Sequence, residues 1–475
     1  MAAGSSVSNA AKRTRAPTAI GGGHVASSWL PLTFIVGGLT ALGVAATVSV
    51  LHPALWLLPY PHPQVVALAH LWLPGFLLTA TLGAMYQLTP VVLGVPLRCR
   101  PVTGWIHFGL HGAGLVLLIG GMAAGRFDLV GLGGASLTGG VLLFASSIGR
   151  TFVDSPRRDV VAWSFPLAAG WLAATVLAGV ALAINRRWPF LPVSPVSLFR
   201  AHAHLGLVGF FVTLLQGATF QLVPMFTLGE LRRPRTATAG LIVSQVALIA
   251  LVVGLSDLQA HGTLVGAALM GVGLALTGAA LAATLQSRRR RKLEPGVLAF
   301  AVGAVGLGLA ALVGVGLLLV PHPSVSAVTA YGIIIVPGGF GLMVPGMLCK
   351  IIPFLVWMRR YGPRVGREPV PAATTLSSPR LEQSWLLLQL TATATLILGV
   401  MIQSTPLTVV GTWLLAAAIG CFLTNVGRVL RHLCVPSLAA RGPLGRTGNK
   451  GGADPSPAPL SPENRHDLQP FAPRN

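Results

Sequence analysis

The chain has 475 residues, is 53% hydrophobic and only 9% charged, and its mean hydropathy is +0.74. That excludes a soluble globular protein, which needs far more charge to cover its surface. The formal net charge is +22, but the basic residues lie in short segments between apolar runs, so topology explains them and no nucleic acid partner is expected.

Four cysteines, Cys99, Cys349, Cys421 and Cys434, show no paired or CxxC spacing, which argues against a disulfide framework or a zinc site. Residues 1–28 are small and polar and include "KRTR". No cleavable signal peptide is expected, because the first apolar run is long enough to stay in a membrane.

Apolar runs of about 20 residues, the length that spans a bilayer as a helix, recur along the chain. They predict an all-α polytopic membrane protein of twelve spans: 29–51, 64–92, 104–124, 129–150, 161–184, 200–226, 238–256, 261–286, 296–320, 326–358, 384–403 and 407–431. Basic residues follow span two (Arg98, Arg100), span four (Arg150, Arg157, Arg158), span six (Arg232, Arg233, Arg235), span eight ("RRRRK") and span ten ("RRYGPR"). Only Arg126, Arg186, Arg187 and Arg200 fall on the other side. The positive-inside rule then predicts a multi-pass protein of the cell membrane with both termini cytoplasmic and the lipid bilayer as its surroundings. The expected organisation is a disordered cytoplasmic tail over 1–28, a membrane domain over 29–431 and a disordered Pro/Gly/Ser-rich cytoplasmic tail over 432–475.

An internal repeat runs through this pattern. Span two contains "HLWLPGFLLTATLGAMYQLTP" (70–90), span six "HLGLVGFFVTLLQGATFQLVP" (204–224) and span ten "IIIVPGGFGLMVPGMLCKIIP" (333–353). Counting the first residue of each segment as zero, all three share Gly at offset five (Gly75, Gly209, Gly338) and offset thirteen (Gly83, Gly217, Gly346). A long polar residue stands at offset seventeen (Gln87, Gln221, Lys350), and proline closes each segment (Pro90, Pro224, Pro353). Spans four apart carry the repeat, so the sequence reads as three pseudo-symmetric four-helix units. The glycines fit close packing of helices or the close approach of a flat cofactor. The prolines are expected to kink or end their helices. Gln87 and Gln221 are placed to hydrogen-bond freed carbonyls, and Lys350 to do the same or to snorkel toward the cytoplasm.

Depth sorts the twelve histidines. His70 and His204 sit at equal depth, roughly 5–10 Å inside the outer edge by the rise of about 1.5 Å per residue. An intramembrane histidine is costly without a partner and marks a functional site by default. Neutral imidazole is a ligand for haem iron or for copper. His202, His62, His261 and His322 read as interfacial. His107 and His111 lie four residues apart on one helical face, which suits either a metal or a polar face at the cytoplasmic edge. All eleven acidic residues fall in loops, tails or span edges, so a redox-driven proton pump is not expected.

Twelve spans in three units, with histidines near the outer ends of spans two and six, resemble subunit I of the haem–copper oxidase superfamily, most closely its cbb3-type oxidase and nitric oxide reductase branch. The segment "HLGLVGFFVTLLQGATFQLVP" resembles that branch's sixth helix. The resemblance implies a cytochrome oxidase subunit I-like fold, with His204 placed as a copper or non-haem iron ligand and His70 as a haem ligand. His202, beside His204, is kept as a second metal candidate. It also implies a role in respiratory electron transfer or in nitric oxide or oxygen chemistry, with haem and copper or iron as cofactors and other respiratory or oxidase-assembly subunits as partners. If active, such a protein is an oxidoreductase. Span seven, however, lacks the family's histidine pair, and span ten has Ile333 at the repeat's histidine position and no histidine at all. A complete dinuclear centre is therefore not expected. The alternative reading is a non-redox relic of the fold acting as a transporter, a metal-handling protein or an oxidase-assembly factor.

Overall fold

A computed structural model describes residues 29–256, 260–290 and 292–434; both predicted tails, apart from residues 432–434, lie outside it. Among the described residues there are twelve helices long and apolar enough to cross a membrane and no strand. They run Trp29–Leu51, Pro63–Leu93, Pro101–Ala123, Phe127–Asp154, Val160–Arg187, Pro195–Thr227, Pro234–Leu255, His261–Gln286, Pro295–Leu319, Val325–Arg360, Pro379–Met401 and Thr405–Leu433. An all-helical solution follows from the composition, because within lipid a helix satisfies its own backbone groups. Proline opens six of these spans, where its missing N–H costs nothing, and Asp159, Ser194, Ser324, Ser378 and Ser404 cap N-termini.

The threefold organisation is visible in the packing. Spans one and two, five and six, and nine and ten pair in the same way. So do the hairpins of spans three and four, seven and eight, and eleven and twelve. Units meet where span four packs on five, eight on nine, and twelve on one, which closes a ring. Spans two, six and ten form its centre. Their apolar windows are 61%, 72% and 78% buried, against 17–44% for the other nine. The repeat therefore marks the three helices shielded from lipid.

Each central helix is locally widened into a π-helix: Leu71–Leu78, Leu205–Val212 and Val336–Phe340. The first two begin immediately after His70 and His204. Such insertions within α-helices are rare and are frequent at functional sites. Near the basic side, spans two and six end alike. Gly94 and Leu228 adopt the left-handed conformation, and both caps donate to the repeat's proline, Pro90 and Pro224. Span ten instead continues past Pro353 to Arg360.

The glycines at offset thirteen serve helix packing. A Cβ on Gly83 would stand 2.5 Å from the Pro31 carbonyl oxygen on span one, and one on Gly346 would stand 2.5 Å from the Gly296 carbonyl oxygen on span nine. A Cβ on Gly217 would collide with Ser164 on span five. In every unit the central helix thus touches the backbone or a small side chain of the span before it.

A polar joint recurs at each widened turn. At offset four stand the carbonyls of Pro74, Val208 and Pro337. The Thr79 hydroxyl donates to Pro74 at 2.8 Å and the Thr213 hydroxyl to Val208 at 3.5 Å. Thr79 Oγ1 lies 2.8 Å from His111 Nε2 on span three, and Gln245 Nε2 on span seven donates to Thr213 at 3.0 Å. In the third unit Gln389 Nε2 on span eleven donates directly to Pro337 at 3.0 Å. His111, Gln245 and Gln389 follow the prolines opening their spans, Pro101, Pro234 and Pro379, by ten, eleven and ten residues. Buried polar groups in lipid need partners, and the third helix of each unit supplies one.

Candidate functional site

A cavity of about 900 Å³ lies at the junction of the first two units, bordered also by span ten. That volume matches sites for small molecules and cofactors. Its walls come from spans two to six and from the connections between spans one and two and between spans five and six, which carry Trp56, Tyr60 and Pro189. Most of the lining is apolar, and the polar groups are few.

His70 and His202 both line it. His70 Nδ1 is 2.8 Å from the Val66 carbonyl and His202 Nδ1 is 3.1 Å from the Thr175 carbonyl. A carbonyl only accepts, so each ring holds its proton on Nδ1 and its lone pair on Nε2. The same arrangement recurs in histidines that ligate metals. His202 packs against Gly179 of span five, where a Cβ would come 3.1 Å from its Cε1. His204 also donates from Nδ1, to the Arg200 carbonyl at 2.8 Å, but it is not part of the cavity wall. The structure thus brings His70 together with His202, not with its repeat counterpart His204.

At its mouth, on the side away from the basic connections, Arg186 lines the cavity and stacks over Phe127 at 4.1 Å. Arg200 donates to the Tyr60 hydroxyl at 3.0 Å. Two of the four arginines that break the charge pattern therefore stand around this opening. Trp56 and Trp72 border the cavity, and neither indole N–H has a hydrogen-bond partner among the described residues.

The offset-seventeen residues lie elsewhere, toward the basic side. Gln221 Oε1 is 3.4 Å from Arg157 Nη1, and the same guanidinium nitrogen donates to the Val92 carbonyl at the end of span two. Gln87 is half-buried. Lys350 does not snorkel freely: its side chain is 9% exposed and ion-paired with Glu294, which also pairs with Arg290. Glu382 stands in the first turn of span eleven, at the span edge as expected, and is nonetheless only 3% exposed, held by Ser377, Asn425 and the Gly296 backbone.

The larger departure concerns His107 and His111. A polar cytoplasmic edge was one reading of this pair, yet they are 0% and 1% exposed. Phe34 packs against both rings, and Tyr86 and Phe144 pack against His107. The register of His111 with Gln245 and Gln389 after an opening proline is the signal in the sequence, and His107 has no such counterpart. Among the described residues no group of three or more His, Cys, Asp or Glu is placed to hold a metal ion.

No family model and no curated protein matches this chain.

Proposed function

We propose that the protein is a divergent haem–copper oxidase subunit I-like membrane protein that binds haem in the outer cavity. It serves respiratory electron transfer or chemistry related to nitric oxide or oxygen. The supporting observation is the pair His70 and His202, both on the wall of one cavity and both with Nε2 left as the lone-pair atom. A bare copper or iron ion needs three or four protein ligands, and the described residues gather no such set. Haem brings four nitrogens of its own and needs one axial histidine, so the residues present fit haem better than an isolated ion. His70 or His202 would hold the iron. The apolar walls would exclude water, and Arg186 at the mouth would meet the anionic edge of the group. Bound there, haem would supply one-electron chemistry or gas binding. In this reading both termini are cytoplasmic and the cavity opens to the outer side.

The test is the visible spectrum of detergent-purified full-length protein produced with ample haem precursor. A Soret band at one haem per chain is expected, lost or strongly shifted in His70→Ala and His202→Ala. A purified protein with no Soret band overturns the reading and favours the non-redox alternative.

A further inference from the structure

Units one and two join their connections on the basic side in the same way. In unit one the Ser155 hydroxyl donates at 2.6 Å to the carbonyl of Leu93, the last residue of span two, and the Arg98 N–H donates to Thr151 Oγ1 at 2.9 Å. In unit two the Arg289 N–H donates at 3.2 Å to the carbonyl of Thr227, the counterpart of Leu93, and the Glu230 N–H donates to Ser287 Oγ at 2.9 Å. The second joint holds the connection between spans six and seven against the one between spans eight and nine.

The cations at these two joints meet different partners. In unit one Arg98 pairs with Asp154, Arg157 pairs with Asp159 at 2.6 Å, and Arg158 lies over the Phe152 ring at 4.6 Å. In unit two Arg290 pairs with Glu294, and there the pairing stops. Arg232, Arg233, Arg235, Arg288, Arg289 and Lys292 are all exposed, and none of them makes an ion pair among the described residues. The positive-inside rule accounts for the side on which these charges lie. It does not account for their gathering on two connections that hydrogen bonds hold together, where like charges repel.

We propose that this patch is a binding site for the phosphate headgroups of anionic phospholipids. The span ends put it at the right level. Thr227 and Gln286 close spans six and eight, and Pro234 and Pro295 open spans seven and nine, so every cation of the patch stands within a few residues of a helix end. Guanidinium groups meet phosphate oxygens through paired hydrogen bonds, and basic clusters beside a transmembrane helix attract anionic lipid. The site lies on the opposite side of the bundle from the mouth of the cavity, and it is independent of the haem reading.

Detergent-purified full-length protein is titrated with short-chain phosphatidylglycerol or with phosphatidylcholine of the same chains. The midpoint of thermal unfolding is followed, because a ligand of the folded state raises it. Phosphatidylglycerol is expected to reach half of its effect at a concentration lower by about tenfold or more. The combined variant Arg232→Gln, Arg233→Gln, Arg288→Gln and Arg289→Gln should lose that advantage. Removing as many exposed arginines elsewhere on the same side, by Arg100→Gln, Arg150→Gln, Arg367→Gln and Arg380→Gln, should keep it. Equal responses of the wild type to the two lipids, or a patch variant that keeps the preference, overturn the proposal. Equal loss in both variants overturns it too, since the charge of the whole face would then act without a site. Inorganic phosphate in place of lipid should leave the midpoint unchanged. A rise that the patch variant abolishes would make the ligand free phosphate and overturn the lipid assignment.

Discussion

Units one and three perform one mechanical task with different chemistry. In unit three, Gln389 reaches the Pro337 carbonyl directly and nothing else is involved. In unit one the same joint passes through Thr79 to His111, and His107 and Tyr86 continue the contact toward the basic side. The Gln389 joint represents what helix packing alone demands. What unit one adds to it, two ionisable rings and a phenol in a fully buried place, is the part that packing does not explain.

Substitutions can break or sharpen that contrast. The largest effect is expected where the shared architecture has no slack. Gly346→Leu drives a side chain into the Gly296 backbone and should cost about 3 kcal/mol or more, read as loss of the monodisperse peak in size-exclusion chromatography. Gln389→Leu comes next. It strands the buried Pro337 carbonyl and should destabilise by about 1–3 kcal/mol, measured as a lower midpoint in thermal unfolding. Gln245→Leu should cost less, because Thr213 still serves the Val208 carbonyl; the loss also strands the Trp171 indole N–H, which donates to Gln245 at 2.6 Å. His111→Gln should change stability by about 1 kcal/mol at most. A large loss there would mean that unit one's joint is not equivalent to the other two. The smallest effect is expected for His204→Ala, which leaves both cavity histidines in place. Any Soret band should survive it while failing in His202→Ala.

Much of this architecture could be read from the sequence. The twelve spans and the three related helices followed from apolar length and from glycines at fixed offsets, since both report burial. Even the polar joints left a trace. Thr79 and Thr213 share offset nine, and Pro74 and Pro337 share offset four, although nothing in the sequence indicates that a helix widens there. The histidines of the candidate site were less legible, for a geometric reason. A threefold ring carries equivalent residues to successive junctions, so repeat counterparts such as His70 and His204 face different interfaces. His202, two residues earlier, points roughly opposite to His204 on the helix and so reaches the junction that His70 occupies. The burial of His107 and His111 was hidden for another reason. Their span is largely lipid-exposed, and hydropathy cannot distinguish a polar residue turned inward from one at a helix edge.

The widened turns also set phase. Each amounts to an extra residue within an otherwise α-helical rod, and one residue corresponds to about 100° of rotation and 1.5 Å of rise. Deleting a single residue between Leu71 and Leu78 would leave the glycine seam toward the basic side in register. It would also turn the half of the helix that lies away from the basic side, swinging His70 off the cavity wall. The aim of the histidine is therefore set by how many residues separate it from the seam, as well as by where it sits in the sequence.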